Sequence, residues 1–107
     1  MSALGQMRER MRLEAPMRTA DGAGGWQVGW RLVATVWAAV RRDARESLFA
    51  QAREAPAARY RLTIRRRADI ALDWRLVWGT RIIAVRGWDL PPERPDLMTI
   101  LGEEETP

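Results

Sequence analysis

The sequence predicts a mainly β fold: a small antiparallel β-barrel of about six strands, with one short helix or loop excursion between strands 2 and 3. Three observations carry that expectation. Apolar residues recur with period two in stretch after stretch. Glycine and proline punctuate the boundaries between those stretches. A glycine-rich turn, with Asp21, Gly22, Gly24 and Gly25, joins an arginine-rich stretch to a tryptophan-rich one.

Residues 1–6 have no period and read as a flexible lead-in. Met7 to Glu14 then alternates, with Met7, Met11 and Leu13 on one face and Arg8, Arg10 and Arg12 on the other. Pro16 has no N–H to donate to a ladder, so it is expected to end this first strand. Asp21-Gly22 and Gly24-Gly25 accept positive φ and close a hairpin. In the strand that follows, Trp26, Val28, Trp30, Leu32, Ala34, Val36, Ala38 and Val40 are all apolar. One face should therefore be buried along the whole strand. Val33, Trp37 and Ala39 make its second half apolar on both faces, as a strand crossing the core or a subunit contact would require.

Asp43 followed by Glu46 resembles a capping box, and Leu48, Phe49 and Ala52 form a narrow apolar stripe before Pro56. A short helix is expected over roughly 43–54. Alternation returns at Tyr60, Leu62 and Ile64, then at Leu72, Trp74, Leu76 and Trp78, giving strands three and four. Gly79-Thr80 is a two-residue hairpin signal leading into a fifth strand over 81–88. Residues 89–96 hold three prolines and form an exposed loop. Residues 97–101 close the sheet, and the tail from 102, with Glu103 to Glu105, should fray. Six tryptophans suit the core, with some left to anchor contacts between subunits.

Composition narrows the chemistry. The chain of 107 residues reads as one domain, near the size at which assembly adds stability. It has no cysteine and no histidine, and all eighteen basic residues are arginine. That removes disulfides, thiolate metal sites, the imidazole base and the Schiff-base lysine, and it argues against an enzyme. No catalytic, cofactor or metal site emerges. No apolar run approaches the roughly 20 residues that span a bilayer, and the N-terminus lacks a secretory core. The chain reads as cytoplasmic, without a membrane partner. Residues 1–67 hold fourteen arginines against six acids, and residues 68–107 four against eight. Such a division suits a nucleic-acid module, or subunits stacking through complementary faces.

The opening MRERMRLEAPMRTADGAGGW, the central VATVWAAV, the strand YRLTIRRR, the hairpin WRLVWGTRIIAVRGW and the final DLMTILGEEE stand in the order of a known family. Together they resemble the phage head-tail joining proteins, also called head closure or stopper proteins, of the SPP1 type. The likeness spans about four-fifths of the chain. The opening block is its most specific part, because a generic barrel has no reason to combine a basic strand, this glycine turn and a tryptophan-led second strand. Two departures stand out. Family members often carry a glycine in the loop after the second strand, where this chain has Arg41-Arg42-Asp43-Ala44-Arg45-Glu46. They also often carry a cysteine near the C-terminus, where this chain has Gly102; that change is expected to matter little.

The resemblance implies a virion protein of a tailed phage, a prophage or a gene-transfer agent, assembled in the bacterial cytoplasm. It implies a homo-oligomeric ring beneath the portal and its adaptor ring, which retains packaged double-stranded DNA and docks the tail terminator or tail tube. It also implies that the segment around 41–58 projects toward the channel. Arg41, Arg42, Arg45, Glu46, Phe49 and Arg53 are then candidates for gating or subunit contact. Arg8, Arg10 and Arg12, with Arg65, Arg66 and Arg67, are candidates for DNA or subunit contact, against the plainer reading of a solvated strand face. The rival is a small nucleic-acid-binding barrel that stacks bases on aromatics set among arginines. Tyr60 between Arg59 and Arg61 has that pattern, yet it shares the inward parity of Leu62 and Ile64. A ribonuclease-like toxin barrel is a third reading, weakened by the missing histidine and lysine.

Overall fold

The structure, a computed structural model, describes residues 6–43 and 57–105. Six strands, β1 (Glu9–Ala20), β2 (Trp26–Arg42), β3 (Arg59–Arg65), β4 (Arg75–Trp78), β5 (Arg81–Asp89) and β6 (Leu97–Glu104), form one antiparallel sheet. It closes in the order β1-β2-β3-β6-β5-β4, and β4 returns to β1 through Arg12, Leu13 and Glu14. Closure leaves no exposed edge in the barrel wall. No α-helix occurs among the described residues. The helix expected over 43–54 lies almost wholly outside them.

Alternation places the core. Leu13, Leu62, Ile64, Leu76, Ile83, Val85 and Ile100 are fully buried, each adding roughly 1.5–3 kcal/mol over an exposed side chain. The barrel interior is thus filled by side chains. Ile70, on the connection from β3 to β4, joins the same core cluster. That connection is tied down by the Arg66 N–H donating to the Asp96 carbonyl and the Val85 N–H donating to the Trp74 carbonyl. Gly79 sits at φ +61°, as the first position of a type II′ turn requires, so β4 and β5 join through two residues.

Five expectations need correction. Pro16 does not end β1, which continues to Ala20. At Pro16 only β2 pairs with the strand, since β4 reaches no further than Glu14. A nitrogen without a proton is tolerated beside such an open edge. Second, β2 is not buried on one face throughout. Leu13 pairs with Ala34 but Glu14 pairs with Leu32, so Val33 is a surplus residue, a bulge. Paired residues share a face, and one extra residue inverts parity. Val36 and Ala38 therefore point inward, while Trp26, Val28 and Leu32 are exposed.

Third, β4 starts at Arg75 rather than Leu72, because residues 66–74 cross from β3 to the far wall before pairing begins. Fourth, Glu103 and Glu104 do not fray. They belong to β6, and the Glu104 and Glu105 N–H groups donate to the carbonyls of Ala58 and Ile82. Fifth, no tryptophan is fully buried: Trp74 and Trp78 pack against the core, whereas Trp26 and Trp37 are exposed.

Gly102 proves consequential. It is buried in β6, and a Cβ there would collide with Ile83 Cγ2. Gly102→Ala should lower the unfolding free energy by about 1–3 kcal/mol through overpacking, measured by denaturant titration. Tyr60, the single tyrosine, is buried and donates to Glu104 Oε1 at 3.1 Å. Burial, then that hydrogen bond, raises its pKa above the ordinary 10.0. Its stabilising share is complete below the unfolded pKa and is lost as pH rises through the folded one. Spectrophotometric titration should show the phenol ionising above its free value, reverting to that value in denaturant.

Candidate functional site: an exposed arm and a basic outer wall

Beyond the bulge, residues 16–20 of β1 and 26–30 of β2 pair only with each other. They form a two-stranded arm standing off the barrel, in a molecule whose overall extents are 54 × 35 × 25 Å. Its tip is built from the glycine turn. Asp21 Oδ1 accepts from the N–H groups of Ala23 at 2.8 Å and Gly25 at 3.0 Å. Gly22 and Gly24 sit at φ +79° and +84°, where a side chain is strained. A carboxylate that satisfies turn amides fixes the direction of the tip.

The root is held by charge. Glu14 is 4% exposed, the only buried charged residue among those described. Its Oε1 accepts from Arg75 Nε at 2.8 Å, and its Oε2 lies 3.0 Å from Arg12 Nη2. The Arg75 guanidinium carbon also lies 4.0 Å from the centre of the Trp30 ring. One arginine thus joins β4, the carboxylate of β1 and Trp30 at the root of the arm, through a bidentate-capable plane that also stacks.

From the arm an apolar stripe continues along the outside of the barrel. Trp26, at 67% exposure, Val28 and Leu32 share the face on which Thr35 and Trp37 follow once Val33 has been passed. Arginines flank it. Arg10 pairs with Trp37 across the ladder, and Arg65 and Arg66 line the same open groove as Thr35 and Trp37.

The sequence candidates divide accordingly. Arg8, Arg10 and Arg12 are all exposed. Arg10 and Arg12 stand on the outer face of β1, while Arg8 opens onto a second groove with Arg41, Arg61, Thr63 and Thr99. Arg65 and Arg66 are exposed at the end of β3. Arg67 instead clamps Asp69, with Nε and Nη2 each donating at 3.0 Å, and this holds the Asp69 carboxyl below its usual range. Arg41 and Arg42 end β2, exposed. Arg45, Glu46, Phe49 and Arg53 lie outside the described residues. Tyr60 is buried and meets Trp78 edge to face, so it offers no stacking platform.

The two charge halves also meet within the barrel. Arg59 lies 3.6 Å from Glu103, and Arg61 lies 3.6 Å from Asp89 and 3.8 Å from Asp43. Strand β6 sits beside β3, so part of the C-terminal acidity is neutralised inside the subunit. Sequence reasoning did not single out Trp26, Val28 and Leu32 as exposed; the only available signal was a strand longer than a small barrel uses. Among the described residues no cluster of side chains suits a metal ion, and no helix is long and apolar enough to cross a membrane.

Arg75→Ala should cost about 1–3 kcal/mol, since it removes a partner from a buried carboxylate. It should also speed amide exchange in the arm, while Arg75→Lys restores only part of either effect. Denaturant unfolding and hydrogen-exchange mass spectrometry check the two outcomes.

A search of curated proteins finds no match. Among solved structures, protein SF1141 from Shigella flexneri 2a, a solution structure, is 26% identical with a TM-score of 0.72, covering 98% of each chain. A chain in the virion of a native gene transfer agent particle is 22% identical with a TM-score of 0.66, covering 92% of this chain and 94% of that one. The second likeness is one of fold. The phage head completion proteins match across residues 3–105, arm and barrel together. The chain belongs to the phage head completion protein family.

Proposed function

We propose that this protein is a structural connector at the head-tail interface of a phage or phage-like particle. It closes the DNA-filled head beneath the portal and adaptor and offers the tail its docking surface. The observation that carries this reading is family membership over residues 3–105, which supports a structural role in the virion head. The physical character of the chain agrees. Its barrel is packed solid, so DNA would pass between subunits rather than through one. Its outer wall combines exposed tryptophans with arginines, the residue types enriched where proteins join.

In this reading copies of the chain form a ring, with the portal adaptor on one side and the tail terminator or tail tube on the other. The segment 41–58 reaches toward the channel, and Arg41 and Arg42 stand at its start. A second reading, a small nucleic-acid-binding barrel, draws on one observation: Arg10, Arg65 and Arg66 flank the exposed Trp37. It loses the other stacking candidate, because Tyr60 is in the core.

Electron microscopy of particles from a strain lacking this gene, with complementation as control, separates the two. The connector reading expects separated heads and finished tails, with DNA leaking from the heads. Normally joined particles would sink it and favour the nucleic-acid reading. Replacing residues 44–56, between the end of β2 and Ala58, by a short glycine-serine linker should leave a folded barrel but leaky heads; full DNA retention removes the gating role and leaves the rest standing.

A further inference from the structure

The arm is not the sole place where this chain exposes large apolar side chains. Leu72, Trp88 and Leu90 are also exposed, on the connection into β4, at the end of β5 and just beyond it. In the closed strand order β5 lies three strands from β2 in either direction. The stripe on β2 and the end of β5 therefore belong to opposite walls.

The two regions differ in charge. Arg18 is exposed on the arm and shares the face of Trp26 and Val28, Arg10 is exposed beside Trp37 farther along the same face, and among the described residues neither has an ion pair. At the second region the apolar residues alternate with acids: Asp73 follows Leu72, Asp89 stands between Trp88 and Leu90, and Glu93 lies three residues on. All three acids are exposed, and among the described residues Asp73 and Glu93 have no ion pair. Apolar with basic on one wall thus faces apolar with acidic on the other, the complementarity that steers two surfaces together and sets their register.

We infer that the β1–β2 arm of one copy docks on the Leu72, Trp88 and Leu90 region of a neighbouring copy. The contact is heterologous: one surface meets a different surface, so each copy can engage two neighbours at once, and repetition yields a ring where the rotation closes. Trp26 and Val28, on one face of the arm, supply the buried anchors, and the arginines and carboxylates form the rim. The arm suits this role because the bulge turns its apolar residues outward and the Glu14–Arg75–Trp30 cluster fixes its angle. The inference rests on the reading that copies of this chain assemble with one another.

The absence of native cysteine makes the contact directly testable. Val28→Cys on the arm and Leu90→Cys on the opposite region are prepared as separate proteins, both changes falling on exposed side chains. They are mixed in equal amounts at high concentration under mild oxidation and read by non-reducing electrophoresis and mass spectrometry. The mixed disulfide should exceed the statistical share several-fold over either homodimer, and added salt should reduce the excess. A second pair, Trp26→Cys with Leu72→Cys, repeats the measurement at independent positions. A statistical or homodimer-dominated distribution in both pairs overturns the proposal. Such failure leaves the head-tail reading untouched, since that is judged on particle morphology in the deletion strain.

Discussion

One surplus residue governs the shape of this molecule. Where Leu13 faces Ala34 and Glu14 faces Leu32, Val33 has no counterpart on β1, and a strand with a strict side-chain period of two changes its facing rule there. Below the bulge the even residues of β2 contribute to the core; above it the same parity turns to solvent. The bulge also coincides with the last residue of β1 that β4 can reach. Barrel wall and free arm therefore divide at one level, and a single continuous ladder serves both.

Electrostatics secures that division. A carboxylate as buried as Glu14 needs charged hydrogen-bond partners, and it has two arginines from different strands. Arg75 is the versatile one, since its guanidinium can donate in its plane while its face rests on Trp30. Lysine could not fill both roles. An all-arginine chain thus has a structural use for the guanidinium at this point, whatever set its overall codon preference. Elsewhere Arg59, Arg61, Arg67, Arg86 and Arg94 are matched with nearby acids, which leaves Arg10, Arg18, Arg31, Arg41, Arg65, Arg66 and Arg81 as exposed arginines without an ion pair among the described residues.

Much of the barrel was legible in the residues. The Tyr60, Leu62 and Ile64 alternation, the Gly79-Thr80 hairpin and the Asp21 to Gly25 turn depend on local rules, and each appears where those rules put it. What escaped depends on neighbours. Pro16 is harmless because of how far β4 extends, which no window around Pro16 reveals. The bulge is silent because the residues on both sides of Val33 are equally apolar, so the pattern continues unbroken through the inversion. Leu72 and Trp74 alternate as a strand would, yet the chain there crosses the barrel mouth before it finds a partner. At the candidate site the arginines were visible, but their pairing was not: Arg67 was grouped with Arg65 and Arg66, and only the fold shows it held by Asp69. The tight fit around Gly102 is likewise set by Ile83, nineteen residues away in sequence.

Closure through β1 and β4 carries a kinetic consequence. The hairpins β1–β2 and β4–β5 need only short loops, but the contact that seals the wall joins Glu14 to Arg75, sixty-one residues apart. Loop-closure entropy makes so distant a pairing a late event, and chains dominated by such contacts fold in milliseconds to seconds rather than microseconds. Until it forms, β1 and β4 present unpaired edges on which another nascent chain could build. The brevity of β4, four residues ending in a tight turn, limits how long a misplaced ladder can grow there. The shortest strand in the sheet thereby guards the slowest step in its formation.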